Sequence, residues 1–241
     1  TKPLSITNSF GVPSMNPDWW QKDMEKARRS AGRGQVMVGS FQGTKSEDGN
    51  VEKLIADYVL AARLVKETGT PILEANLSCP NEGTNALLCF DVSLVKKIAL
   101  QVKNEIGNTP LILKLSFFAS DEHLKKLVCA VGKIIQGFSV INTIPAAIVN
   151  SVGNQALPGT GRLYSGVCGT AIAWAGKNMV HRLRNLRKAH GMSFQIIGVG
   201  GVMLPKDVDA YRLVGADLVQ SATGAMWNPM LAEKVYQHMK A

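Results

Sequence analysis

The stretch 72–81, ILEANLSCPN, is an apolar run that ends in side chains able to move protons and read polar edges. Period-two alternation puts Glu74, Asn76 and Ser78 on one side of a strand and Leu73, Ala75 and Leu77 on the other, so that one side packs and the other presents polar groups. Pro80 lacks an N–H and fixes its own φ, which stops the strand and leaves Cys79 and Asn81 on the exit loop. A thiol at that place can serve as a base or nucleophile when its pKa is lowered, and it can equally be a small buried hydrophobe. Lys114 interrupts the apolar strand LILKLS, and a cation pointing into a core needs a negative partner or loses its charge. Gly198, Gly200 and Gly201 let backbone N–H groups approach an anion such as a phosphate, or make a plain tight turn. Asn8, Asn76, Asn81 and Asn142 carry amides with donors and acceptors for the edge of a flat heterocycle, although any one alone suits a turn or cap.

These residues need strands to carry them. Residues 4–16 are turn-rich and read as a loop. A helix follows from Pro17, with Trp20, Met24 and Ala27 at helical spacing. Strands are expected at 36–41, 72–78, 111–116, 138–143, 194–201 and 218–223. Between them lie helices striped by Leu54, Tyr58, Ala61 and Val65, by Val92, Val95, Ala99 and Val102, and by Leu124, Leu127, Val131 and Ile134, the last capped by Ser120. A long Gly-rich loop follows the strand at 138–143, then a helix through the basic cluster HRLRNLRKAH (181–190), and a helix at 229–239 finishes the chain. Strand–helix alternation at this spacing implies a parallel sheet wrapped by helices. No early GxGxxG stands behind a first strand, and the paired glycines fall late, which suits a (β/α)8 barrel with its phosphate site after strands seven and eight. Six strands, however, do not close an eight-stranded barrel.

With 241 residues and 46% apolar content the chain can bury a large core. No apolar run reaches the roughly 18 residues of a membrane span, and the start lacks a signal-peptide layout. Cys79, Cys89, Cys129 and Cys168 are dispersed without metal-like spacing, which points to no metal and to reduced thiols in a cytoplasm; Cys89, Cys129 and Cys168 are expected to be buried packing. The net charge of +9 raises anionic ligands or nucleic acid as partners, but the cations are spread out, and the 181–190 cluster reads as a solvated helix face.

Taken together, NLSCPN (76–81), NSFGVP (8–13), Lys114, INT (141–143), SG (165–166), GVGG (198–201) and QSAT (220–223) resemble the dihydroorotate dehydrogenases, flavoproteins built on a (β/α)8 TIM barrel. The resemblance covers the chain from about Pro3 onward as a single FMN-binding domain, 1–241. It implies FMN with its phosphate near Ser165, Gly166, Gly200, Gly201, Ala222 and Thr223, with Asn76, Lys114 and Ile141 beside the flavin. Asn8, Asn76, Asn81, Asn142 and Thr143, with the backbone of Phe10, Gly11 and Val12, would hold the substrate, dihydroorotate. Cys79 would be the base that removes the C5 proton while hydride passes from C6 to flavin N5.

Cysteine at that position resembles the soluble class of the family, and NEGTNALLCFD is similar to the homodimeric branch that uses fumarate as electron acceptor. The resemblance also implies two earlier strands and a second active-site lysine, so the sequence is expected to be an N-terminally incomplete barrel. Phe10, Ala222 and the longer turn TGRLYSG (160–166) depart from the family pattern. Two other readings compete. One is a flavin barrel of the dihydropyrimidine dehydrogenase or tRNA-dihydrouridine synthase kind, against which Asn81 and NSFGVP argue for a free carboxylated pyrimidine. The other is a non-catalytic remnant that binds an anion.

Overall fold

A computed structural model describes residues 4–8, 12–78 and 87–240. In chain order the elements are β1 (Ser5–Asn8), α1 (Pro17–Ser30), β2 (Val38–Phe41), α2 (Val51–Glu67), β3 (Ile72–Asn76), α3 (Val92–Ile106), β4 (Leu111–Leu115), α4 (Asp121–Val131) and β5 (Gly137–Val140). They continue with β6 (Ile144–Ala147), β7 (Tyr164–Gly169), α5 (Ala173–Ala189), β8 (Gln195–Val199), α6 (Pro205–Val214), β9 (Leu218–Gln220), α7 (Thr223–Trp227) and α8 (Leu231–Lys240). Six strands form one wholly parallel sheet in the order β2-β3-β4-β5-β8-β9, as the alternation predicts. The sheet curves as part of a (β/α)8 barrel, with helices on its outer face.

Local chemistry sets where the helices begin. Asn50 accepts from the backbone N–H of Glu52 and Lys53 at the start of α2, and Asp91 does the same for Leu94 at α3. The expected Ser120 cap of α4 accepts from His123 N–H, with Asp121 and Glu122 in the first turn, where the helix dipole favours anions.

Two sequence expectations change. Residues 5–8, read as loop, form β1, and the long Gly-rich loop contains β6 and β7; the three make a small antiparallel sheet, β1-β7-β6. These strands are short and turn-flanked, and the pairing that stabilises them joins residues far apart in the chain, so no local periodicity announces it. The sequence reading also passed over α6, a Pro-initiated helix with only Val208 and Tyr211 buried.

The alternation along β3 holds, with one difference. Leu73, Ala75 and Leu77 are buried against the helices, but Glu74 and Ser78 are buried as well, because the second face of the strand looks into the barrel. That inner face is apolar at the bottom, where Ile112 and Ile197 pack with Val38 and Ile72, and Val199 carries this cluster up to the carboxyl end. Higher up it turns polar: Ser40 Oγ donates to Glu74 Oε1 at 3.3 Å, and Ser139 Oγ donates to Gln220 Oε1 at 3.2 Å.

The end of β8 is braced from outside. Tyr211 on α6 is buried and its hydroxyl lies 2.7 Å from the Gly200 carbonyl and 3.0 Å from that of Val199. Gly198 leaves room for its ring, where a Cβ would collide with it. Tyr211→Phe is expected to cost about 1–2 kcal/mol by leaving the buried Gly200 carbonyl without its donor, while the Val199 carbonyl keeps the Ile141 N–H. A urea-unfolding midpoint checks it, and an unchanged midpoint would show that water replaces the hydroxyl without penalty.

Candidate functional site

At the carboxyl ends of the parallel strands lies a cavity of about 400 Å³, within the roughly 300–1,000 Å³ range of small-molecule and cofactor sites. β4 contributes Lys114; the exit of β5 contributes Ile141, Asn142 and Thr143; the exit of β8 contributes Gly200, Gly201 and Val202. The exit of β9 and the first turn of α7 contribute Ser221, Ala222, Thr223 and Gly224. The small sheet closes one wall with Ile6, Thr7, Asn8, Cys168 and Gly169. Two other cavities, of about 470 Å³ and 410 Å³, open at the two edge strands, one between β2, α1 and α2 and one between β9, α6 and α8; neither contains Lys114, Asn142 or the glycine turns after β8.

Of the residues expected from sequence, Asn8, Lys114, Ile141, Asn142, Thr143, Gly200, Gly201, Ala222 and Thr223 meet in this one cavity. Asn76 stands beside it as the register partner of Lys114. Ser165 and Gly166 stand outside the lining: the Ser165 hydroxyl donates to the Asn8 carbonyl, and Gly166 pairs with Asn8 and Pro145. Both brace the wall. A Cβ on Gly166 would strike the Thr143 side chain, so this glycine sets how closely β7 approaches the β5 exit. Val12 is half exposed and lines the cavity beside α1 instead. Phe10, Gly11, Cys79 and Asn81 lie outside the described residues.

Thr7, Cys168 and Gly169 were missed by sequence reasoning. Thr7 fell in a segment read as loop. Gly169 did leave a signal, because it ends a strand just before a helix, the same punctuation as Gly200 and Gly201.

Three features fit an anionic, polar ligand. The Thr7 and Thr143 hydroxyl oxygens are buried and lack a hydrogen-bond partner among the described residues. Gly200 and Gly201 line the cavity with φ of 118° and 69°, a conformation that glycine adopts without strain and that lets the backbone approach a ligand closely. None of the ion pairs among the described residues uses Lys114. Glu74 lies on the same inner face, two residues before the register partner of Lys114, but makes no ion pair with it, so the lysine's charge is open to a ligand.

A hydrogen-bonded chain of side chains joins the strand exits. Asn76 Nδ2 donates to Gln42 Oε1 at 2.9 Å, and Asn76 Oδ1 accepts from both the backbone N–H and the hydroxyl of Ser78. Asn142 Nδ2 donates to the carbonyl and hydroxyl oxygens of Ser78, and Asn142 Oδ1 accepts from Thr143 N–H at 2.8 Å. The basic cluster, by contrast, is partly spent on structure: Arg182 pairs with Asp121, and Arg187 pairs with Asp217.

The expectation that Cys89, Cys129 and Cys168 all pack in the core holds only for Cys89. Cys129 is exposed, because its position on α4 faces away from the sheet, and Cys168 lines the cavity with its thiol 3.4 Å from the Ile6 carbonyl. Burial pushes the Cys89 thiol from 9.0 up to about 12. The unfolded thiol ionises from about pH 9 while the folded one keeps its proton, so this stabilisation is intact below pH 9 and is lost as the pH climbs toward 12. Since the thiolate is the reactive form, iodoacetamide at pH 8 is expected to label Cys129 and spare Cys89 until the protein is unfolded. Peptide mass spectrometry reads the outcome, and early labelling of Cys89 would contradict its burial.

A curved parallel sheet wrapped by helices, with a cavity at the carboxyl ends of its strands, defines the class of (β/α)-barrel proteins. The family model described as dihydroorotate dehydrogenase matches residues 1–241, and the chain belongs to that family. It is 31% identical over 241 residues to the dihydroorotate dehydrogenase of Dictyostelium discoideum, covering 98% of this chain and 64% of the relative. It is 28% identical over 186 residues to the dihydroorotate dehydrogenase B (NAD(+)) catalytic subunit of Thermodesulfovibrio yellowstonii, covering 76% of this chain and 58% of the relative. The chain therefore spans about three fifths of the length of these curated relatives. The crystal structure of a dihydroorotate dehydrogenase from Eimeria tenella in complex with ferulenol superposes with a TM-score of 0.75 at 17% identity, covering 98% of this chain and 66% of that one, and shows the shared fold. No helix among the described residues is long and apolar enough to cross a membrane.

Proposed function

We propose that this protein oxidises dihydroorotate to orotate with FMN as its cofactor. The observation that carries the reading is the convergence of Lys114, the Asn142 amide and the glycine turns after β8 in one cavity, in a member of this family. Bound FMN would supply the two-electron acceptor for the hydride leaving C6 of the substrate. Gly200, Gly201, Ala222 and Thr223 would hold the phosphate through backbone N–H groups, and Lys114 would set a positive charge beside the ring system. Ser165 and Gly166 would support the phosphate site from the small sheet, with Cys168 and Gly169 on the wall beside the ligand. Asn8, Asn76, Asn81, Asn142 and Thr143, with the backbone at 10–12, would orient the pyrimidine, and Cys79 would take the C5 proton.

Absorbance of the purified protein before and after anaerobic addition of dihydroorotate tests this. A yellow flavin band that bleaches is expected. A band that dihydroorotate leaves unchanged would move the protein to another flavin barrel, and a colourless protein would leave an anion-binding remnant. We propose a homodimer in the cytoplasm with fumarate as electron acceptor. Reoxidation of the bleached protein by fumarate and not by NAD+ is the expected result; the reverse would overturn that choice.

A further inference from the structure

We propose that Gln42 is a positioning residue that holds the Asn76 amide in one orientation, so that Asn76 offers a bound ring a donor only. The inference rests on the pyrimidine-binding reading above. Gln42 follows β2 directly, and the parallel register that pairs Phe41 with Ala75 brings Gln42 opposite Asn76. An asparagine amide has two N–H donors and two acceptor lone pairs, and a backbone N–H can only donate. The N–H of Ser78 therefore requires Asn76 to turn its oxygen that way, and the Ser78 hydroxyl fills the second lone pair. Nδ2 must then face Gln42, whose Oε1 accepts at 2.9 Å. One N–H of Asn76 has no partner among the described residues.

The same count at Asn142 gives the opposite polarity. Both of its N–H groups go to Ser78, and its oxygen takes one bond from Thr143 N–H, so one acceptor lone pair remains. The two amides thus offer one donor and one acceptor, the complement of a ring carbonyl beside a ring N–H. Without an acceptor at residue 42, Nδ2 loses its fixed partner at the strand edge and the amide is held by Ser78 alone.

Gln42→Leu removes the acceptor at similar volume, and Gln42→Glu keeps one. In 15N-labelled protein, with Asn76→Asp used to assign the resonance, the Asn76 side-chain amide pair is expected to shift in Gln42→Leu and to stay near its wild-type position in Gln42→Glu. Orotate binding is expected to weaken about tenfold in Gln42→Leu, the scale of one hydrogen bond, with Gln42→Glu recovering most of the loss. An unmoved Asn76 amide in Gln42→Leu, or equal loss in both variants, overturns the proposal. If the wild-type protein binds no orotate, the pyrimidine reading fails, and the amide resonance still decides the role of Gln42.

Discussion

Cys79→Ala is expected to slow the bleaching of the flavin band by dihydroorotate by about 10²–10⁴-fold, the range that a positioned general base contributes, while leaving FMN bound. The argument begins with the strand. Leu77 and Ser78 are buried and the chain then leaves the sheet at the carboxyl end, where the Ser78 carbonyl and hydroxyl are tied to Asn142. Ser78 is thereby fixed at the carboxyl end of the sheet, one residue before Cys79 in the chain. A thiol with an ordinary pKa near 8.5 is mostly protonated at neutral pH, so the rate in wild-type protein is expected to rise with pH until the thiolate dominates. Cys79→Ala should flatten that profile as well as lower it. Stopped-flow bleaching measured across pH 6–10 reads both. A variant that keeps a wild-type rate and pH profile would remove Cys79 from the chemistry, and the base would have to be sought elsewhere on the rim.

Lys114→Ala is expected to slow the same bleaching by roughly a hundredfold, the order seen when a charge-stabilising group is removed from a site shielded from water. Lys114 sits in β4 between Asn76 and Ser139 in register, above the apolar Ile112 and Ile72. No carboxylate among the described residues pairs with it, so its charge is available to a ligand on which negative charge builds up. The variant should also lower the midpoint potential of the bound flavin, because the reduced form loses a nearby cation. Lys114→Arg keeps the charge but presents a planar fork in place of a point charge, and is expected to recover the potential better than the rate. A potential and rate in Lys114→Ala equal to wild type would assign the lysine to packing alone.

The two predictions draw on different kinds of legibility. Lys114 stands out in the sequence because a cation breaks an apolar strand, and the structure puts it where that anomaly implies. Asn142 and Thr143 are less distinctive, and their meeting with Lys114 depends on β4 and β5 being neighbours in the sheet. Thr7 and Cys168 could not be recognised: β1 and β7 are short, their neighbours are turns, and Ser165 reaches Asn8 across 157 residues. The same long reach explains why the sequence could not show that Ser165 and Gly166 pair with β1 and β6 in the small sheet. Gln42 carried no signal at all, since a glutamine after a strand is ordinary until the register sets it opposite Asn76.

The sequence by itself determined the alternation of strands and helices, the caps, the face of β3 that packs and the strand ends that carry reactive groups. All of these follow from interactions within a few residues: side-chain period, backbone restriction at proline and glycine, and the first-turn chemistry of helices. Only the tertiary structure decided which strand ends share a cavity, that the polar face of β3 is buried inside the barrel, that β1 and β7 close one wall, and which way the Asn76 amide points. Those depend on strand order, register and hydrogen bonds between segments distant in the chain, where each group's partner is set by the folded arrangement and not by its neighbours in sequence.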